Sequence, residues 1–146
     1  MKKLVNLALL LVIVTSCHIK IVNNINTPGI SFKVLKEESY GGRENESHEV
    51  VTGKQGLDAL YKELGLGTPP DVDFTKNNVV AIFMGQKNTG GYSISVKSIT
   101  VDDNNTVTVK VRETRPDGGM VTTALTSPYC IAVIPKSKEV IVEFEE

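Results

Sequence analysis

The sequence has few of the residues that carry metal, nucleic-acid or redox chemistry. It contains no tryptophan, two cysteines and two histidines, and no Cys or His pair stands at the spacing of metal ligands. Its 16 Lys and Arg are scattered among 17 Asp and Glu, whereas nucleic-acid binding needs clustered positive charge. These absences predict a protein without a metal, a cofactor or a nucleic-acid partner.

Sequence motifs of enzymes are also missing. There is no Gly-x-Ser-x-Gly elbow, no phosphate-binding loop and no zinc-protease helix. Asp102 and Asp103 stand in a turn that lacks the calcium-loop pattern. Cys130 lies in the apolar run Tyr-Cys-Ile-Ala-Val-Ile, which predicts a buried, inert thiol rather than a nucleophile beside His48. We therefore expect no enzymatic activity.

The first seventeen residues have the layout of a secretory signal. Lys2 and Lys3 precede an apolar stretch, 4–14, that is too short to span a bilayer, which takes roughly 20 residues. Val-Thr-Ser directly before Cys17 resembles the bacterial lipobox, and that resemblance implies cleavage before Cys17 and lipidation of this residue. The alternative is an ordinary cleaved signal with Cys17 present by chance. If Cys17 carries lipid, Cys130 has no partner for an intramolecular disulfide.

The lipoprotein interpretation divides the chain into three parts. Residues 1–16 are the lipoprotein signal, 17–29 are the lipidated cysteine and a short tether, and 30–146 form a single domain. His18 stands where an aspartate would resemble a retention signal of the inner membrane. We therefore expect the outer membrane, facing the periplasm, in a Gram-negative source. In a Gram-positive cell the protein would lie on the outer face of the single membrane.

One segment of the domain has helical periodicity. Leu57, Leu60, Tyr61 and Leu64 recur at i, i+3, i+4 and i+7, which predicts a helix over 56–66. Gly65 stands where a left-handed C-terminal cap belongs, and Pro69-Pro70 prevents continuation.

The remaining periodic segments are typical of strands. The continuous apolar run 79–84 predicts a strand buried on both faces, while 92–101 and 106–114 alternate on either side of an Asp-Asp-Asn-Asn turn and predict a hairpin. Four further strands are expected at 31–35, 48–52, 129–134 and 139–144. The fold class is therefore mainly β (α+β), a β-sandwich or open barrel of about seven strands with one helix.

Three segments stand out where the chain reverses: 85–92, 115–119 and 122–129. Gly, Pro, Asn and Thr serve any loop, but loops on a rigid β-scaffold also carry recognition, and the residues alone leave both interpretations open. The candidate binding surface consists of Asn88, Thr89, Gly90, Gly91, Tyr92, Arg115, Pro116, Thr126, Ser127, Pro128 and Tyr129. Tyr92 and Tyr129 would be its aromatic anchors.

The same segments resemble a known family, the PrcB C-terminal domain. The resemblance lies in five segments, in this order: 72–74, 79–85 (Val-Val-Ala-Ile-Phe-Met-Gly), 89–94 (Thr-Gly-Gly-Tyr-Ser-Ile), 113–116 (Glu-Thr-Arg-Pro) and 125–129 (Leu-Thr-Ser-Pro-Tyr). It extends from about Ser47 to Pro135. The family takes its name from a lipoprotein that stabilises a surface protease complex. The resemblance implies a non-catalytic binding module whose partner is another envelope protein, with a peptidase as one candidate.

Two alternatives stay open. Asn-Thr-Gly-Gly-Tyr at 88–92 and Arg115-Pro116 are similar to loops of chagasin-type inhibitors of cysteine peptidases, although the tryptophan of those inhibitors is absent. Direct inhibition requires 85–92 and 115–128 to lie at one end of the domain. A small-ligand or glycan binder would need an aromatic-lined pocket, for which four Tyr and four Phe are few.

Overall fold

The computed structural model describes residues 29–145. The predicted signal, Cys17 and most of the predicted tether lie outside the described residues. Seven strands and one helix are present, in the order β1 (Lys33–Glu38), β2 (Glu46–Val51), α1 (Lys54–Glu63), β3 (Asn77–Met84), β4 (Ser93–Val101), β5 (Thr106–Thr114), β6 (Tyr129–Pro135) and β7 (Glu139–Glu145).

The strands form two sheets, which confirms the predicted mainly β class and gives a sandwich rather than a closed barrel. The first sheet has the order β1-β6-β3-β2, with every neighbouring pair antiparallel. The second has the order β4-β5-β7, in which β5 and β7 run parallel. The first sheet therefore has β1 and β2 as its edge strands, and the second has β4 and β7.

The central strands β3 and β6 are buried on both faces. Val80, Ile82 and Met84 of β3 pack into the core between the two sheets. The alternate residues Val79, Ala81 and Phe83 pack into a second core beneath α1. Because successive side chains of a strand point to opposite faces, the continuous apolar run of β3 fills both cores. The molecule thus has three layers: helix, four-stranded sheet and three-stranded sheet.

Strands β4 and β5 form the predicted hairpin, and a bulge shifts its register. The pairing slips between Val96 and Ser98, which leaves Lys97 as the extra residue and brings Ile99 back to the inner face. Asp102 accepts hydrogen bonds from the N–H groups of Asn104 and Thr106, at 2.9 and 2.8 Å, across the turn.

Helix α1 presents Leu57, Leu60 and Tyr61 to the second core, as its periodicity predicts. It spans 54–63 rather than 56–66, because a C-terminal cap ends it earlier. Gly65 adopts a φ of 66°, and the N–H of Leu66 donates to the carbonyl of Tyr61 at 2.9 Å, the bonding of a Schellman motif. Among residues 29–145, no helix is long and apolar enough to cross a membrane.

Candidate functional site

Three connecting segments meet at one end of the sandwich. They are 39–45 before β2, 85–92 between β3 and β4, and 115–128 between β5 and β6, and we call them together the loop end. The N–H of Gly42 donates to the carbonyl of Ser127, and the N–H of Ser127 donates to the carbonyl of Ser39, at 2.9 and 3.0 Å. The N–H of Gln86 donates to the carbonyl of Glu44 at 2.8 Å. Backbone hydrogen bonds thus join the first segment to both of the others.

The two predicted loops also pair directly with each other. Lys87 and Thr126 exchange backbone N–H···O bonds of 2.8 and 2.9 Å, which makes a short antiparallel bridge. Thr126 is buried, and its hydroxyl donates to the carbonyl of Thr89 at 2.9 Å. The segments 85–92 and 115–128 therefore lie at the same end, as the peptidase-inhibitor alternative requires.

Gly90 and Gly91 are needed where the two loops touch. The N–H of Gly90 donates to the carbonyl of Thr122 at 3.0 Å, and a Cβ on Gly90 would collide with the Thr122 hydroxyl. Gly91 adopts a φ of 88°, and a Cβ there would lie 3.1 Å from Cβ of Pro116. The Gly-Gly pair therefore allows the close approach of Pro116 and Thr122. This packing explains the pair without reference to a ligand.

Tyr92 and Arg115 lie at the outer side of this contact. Tyr92 is half-buried against the core between the sheets, and the Lys87 ammonium lies 5.9 Å from the centre of its ring. Arg115 donates to Glu113 at 2.9 Å, and its side chain is largely exposed while that of Glu113 is nearly buried. The hydrogen bond with Glu113 raises the pKa of Arg115 above its usual value. Asn88 is exposed as well, so these side chains are accessible to a partner.

Tyr129 does not lie on the surface, which corrects its expected role as an aromatic anchor. It is 2% exposed and belongs to the core beneath α1. Its ring stacks on Phe83 at a centroid distance of 6.1 Å, and burial raises the pKa of its hydroxyl. Pro128 and Gly90 are buried too. The accessible part of the predicted binding surface is therefore smaller than the sequence suggested, and the binding role of this surface stays a prediction.

Exposed apolar side chains extend this surface beyond the residues named from the sequence. Met120 is fully exposed, Leu125 is 62% exposed, and both lie in the segment 115–128. Tyr40 is 57% exposed and follows Ser39, which accepts the hydrogen bond from Ser127. Sequence reasoning missed all three, although an isolated Met and Leu within a polar, Gly-rich segment were a visible signal.

Arg43 is a further residue that the sequence did not single out. Its guanidinium donates two hydrogen bonds to Glu63 of α1, at 2.7 and 2.8 Å, and a third to Glu49 of β2 at 3.1 Å. It also lies over the ring of Phe83, 4.3 Å from the ring centre. The hydrogen bond with Glu63 raises the pKa of Arg43 and lowers that of Glu63. Arg43 thus fastens the segment 39–45 to the helix.

Within residues 29–145, Cys130 and His48 do not come together as a nucleophile and a base. Cys130 is fully buried, and burial raises the pKa of its thiol to about 11, so the nucleophilic thiolate is disfavoured at neutral pH. His48 and Cys130 both pair with Ile82, on opposite sides of β3, which separates their backbones by about 10 Å. Among residues 29–145, no group of His, Cys, Asp and Glu is arranged to hold a metal ion.

Comparison with known proteins agrees with the resemblance noted in the sequence. Residues 78–135 match a family model described as PrcB C-terminal, a span that runs from β3 to β6 and includes most of the loop end. The match does not include β2 and α1, to which the resemblance also extended. No curated protein and no solved structure matches the chain significantly. The segment from β3 to β6 of this chain is therefore similar to the PrcB C-terminal family.

Proposed function

We propose that this protein is a lipid-anchored, non-catalytic binding module of the bacterial envelope that stabilises or assists a protease complex. The family match supports association with a protease complex. The observation that carries the proposal is the loop end, where the exposed Tyr40 and Leu125 stand beside residues whose backbones are hydrogen-bonded to a neighbouring segment. A partner that binds there meets a preorganised surface, so little loop entropy is lost on binding.

The proposed contact surface consists of the accessible side chains of the loop end. It includes three residues that the sequence predicted, Asn88, Tyr92 and Arg115. It also includes three that the structure adds, Tyr40, Met120 and Leu125. Large apolar and aromatic residues contribute most to typical protein interfaces, with Arg beside them. Thr126, Gly90 and Gly91 act beneath this surface, because they fix the shape of the two loops.

Lipid anchoring places the domain beside membrane-bound partners. The proposal assigns cleavage before Cys17, acylation of this residue, and the outer membrane facing the periplasm as the location. Each buried CH₂ of an acyl chain contributes roughly 0.8 kcal/mol, so two or three chains hold the protein stably. Labelling with radioactive palmitate tests this part, since label should enter the wild type and not Cys17→Ser.

The binding role is tested by crosslinking and pull-down from the native envelope, read by mass spectrometry. We expect Met120→Ser with Leu125→Ser to reduce recovery of a peptidase or its processing factor about tenfold, which corresponds to about 1.4 kcal/mol. Both side chains are exposed, so the thermal unfolding midpoint should stay close to that of the wild type.

Val34→Ser is the matched control, because Val34 is an exposed apolar residue on β1, outside the loop end. It should leave recovery unchanged. If the double variant recovers the same proteins as the wild type, the loop end is not the contact surface. If the wild type itself recovers no specific protein, the ligand- or glycan-binding alternative is favoured over the protease-assisting role.

Direct inhibition of a cysteine peptidase is the second candidate, favoured by the position of 85–92 and 115–128 at one end. Inhibitors of this class act by inserting loops into the peptidase cleft, and here the buried Gly90 and Thr126 hold the two loops against each other. We therefore expect no tight inhibition. Titration of papain with the purified domain tests this, and inhibition well below micromolar concentrations, lost in Tyr92→Ala, would establish the inhibitor role instead.

A further inference from the structure

The β7 edge differs from the other edges of the two sheets. Strand β4 carries the bulge at Lys97, and its edge is partly covered because the N–H of Ile30 donates to the carbonyl of Ile99 at 2.9 Å. Strand β1 also carries a register shift, between Val34 and Lys36. Bulges and lysines of this kind protect edges from further pairing. Strand β2 is mostly polar, with the sequence Glu-Ser-His-Glu-Val-Val.

Strand β7 has a regular edge without a bulge, and its only charged residues are glutamates. It pairs with β5 in unbroken register from Glu139 to Glu145, which leaves the backbone groups on its other side without a strand partner among residues 29–145. Its sequence, Glu-Val-Ile-Val-Glu-Phe-Glu, contains no lysine and no proline. Such an edge is a template for an additional strand.

The two faces of β7 present different side chains to an added strand. Val140 and Val142 pack at the margin of the core between the sheets, and Phe144, in the same alternation, is 39% exposed. Glu139 and Glu143 are exposed on the opposite face, where they flank the exposed Ile141, and Glu143 lies in register with Lys110 of β5. Neither glutamate forms an ion pair within the described part of the chain. An added strand would therefore meet apolar residues on one face and two glutamates on either side of Ile141 on the other.

A cleft lies at the C-terminal end of this edge. Its described lining residues are Glu113, Arg115, Phe144 and Glu145, and its volume is about 540 Å³. One wall is the ring of Phe144, and another is the ion pair between Arg115 and Glu113. The volume is sufficient for an apolar side chain of the added strand.

We propose that the β7 edge binds an extended segment of another protein as an additional strand, and that this segment alternates basic and apolar residues. Its basic side chains face Glu139 and Glu143, and its apolar side chains face Val142 and Phe144. The inference goes beyond the proposed function, since it concerns the β7 edge, which meets the loop end only at Arg115, and a defined partner chemistry.

Charge distinguishes this occupant from a second copy of the chain. In an antiparallel pair of β7 strands centred on Val142, Glu139 of each copy would lie opposite Glu145 of the other. Like charges directly opposite each other destabilise a strand pair. The glutamates therefore disfavour self-pairing and favour a basic partner.

The probe for this site is a fluorescein-labelled nine-residue peptide of alternating lysine and valine, measured by fluorescence polarisation. We expect saturable binding that Glu139→Lys with Glu143→Lys weakens about tenfold. Glu37→Lys with Glu38→Lys is the matched control, because it reverses two exposed glutamates on the β1 edge, and it should change the dissociation constant less than twofold. The same weakening by this control would reduce the effect to general charge attraction and overturn the proposal.

Backbone pairing is tested separately from charge. Two further peptides are N-methylated, one at all valines and the other at all lysines. Each modification blocks the N–H groups along one edge of the peptide, so one of the two peptides should lose binding and the other should keep it. Equal binding by both would overturn strand addition. If the double variant fails to fold, hydrogen exchange of the wild type tests the site instead. The peptide should slow the exchange of β7 amides. If it slows exchange only at other amides, the β7 edge is not the binding site.

Two further outcomes complete the test. Sedimentation should show that the wild type is a monomer. A dimer that Glu139→Lys with Glu143→Lys abolishes would instead identify a second copy of the chain as the occupant of the β7 edge. Met120→Ser with Leu125→Ser should leave peptide binding unchanged. Failure at the loop end and failure at the β7 edge are therefore distinguishable.

Discussion

Replacing Tyr129 with alanine is expected to lower the free energy of unfolding by about 3–5 kcal/mol, the usual cost of truncating a buried aromatic side chain. Tyr129 is 2% exposed and stacks on Phe83 in the core beneath α1. Its removal leaves a cavity between two central strands, which cannot collapse without disturbing their pairing. Denaturant unfolding monitored by circular dichroism measures the loss.

Two other tyrosine substitutions serve as controls. Tyr129→Phe keeps the ring and its packing, so we expect a change of about 0.5 kcal/mol or less. Tyr92→Ala removes a half-buried ring at the loop end and should cost about 1–2 kcal/mol. If Tyr129→Ala instead unfolds like the wild type and loses partner binding, Tyr129 is a surface anchor and its placement in the core is wrong.

Replacing Arg43 with alanine is expected to lower the free energy of unfolding by about 2 kcal/mol. The change leaves Glu49 and Glu63 without their shared partner and uncovers the ring of Phe83. Exposed ion pairs contribute little, but the Arg43 side chain is only 26% exposed and its guanidinium is hydrogen-bonded to two carboxylates. Thermal unfolding at neutral pH measures the effect.

Arg43→Lys separates geometry from charge in the same experiment. Lysine cannot donate the parallel pair of hydrogen bonds to Glu63. Arg43→Lys should therefore retain less than half of the stability that Arg43→Ala loses. Lys54→Ala is the control, because its ion pair with Asp58 is long, 3.5 Å, and exposed, and it should change stability by about 0.5 kcal/mol or less. Equal effects of Arg43→Ala and Lys54→Ala would contradict the fastening role of Arg43.

The Arg43–Glu63 pair also gives a pH dependence with a defined sign. Its hydrogen bond lowers the pKa of Glu63 in the folded protein below the usual value of 4.5. The contribution of Glu63 is therefore fully present above pH 4.5 and is lost as the pH falls through the folded pKa. The stability advantage of the wild type over Glu63→Gln should be constant from neutral pH to about pH 5 and shrink below it. An advantage that persists at pH 2 would contradict the ion pair.

Most of the fold follows from local patterns in the sequence. The helix was expected from the spacing of Leu57, Leu60 and Tyr61, and it begins and ends within three residues of the expected bounds. The doubly buried β3 and the β4–β5 hairpin were also predicted. These features depend on the alternation of neighbouring side chains, which the order of residues records directly.

The candidate site was predicted less completely, because burial at the loop end depends on contacts between distant segments. Tyr129 and Tyr92 both begin apolar strands and look alike in sequence, yet one packs under α1 and the other lies at the sandwich end. The role of Arg43 depends on Glu63, which lies 20 residues away in the chain.

The sequence by itself determined the strand and helix content, the similarity of residues 78–135 to the PrcB C-terminal family, and two of the three segments of the loop end, 85–92 and 115–128. The tertiary structure alone decided that 85–92 and 115–128 pair at one end, and that β7 joins β5 in parallel as an open edge. The physical reason is that strand order and sheet pairing arise from long-range hydrogen bonds and core packing. Neither leaves a periodic signal within a single segment.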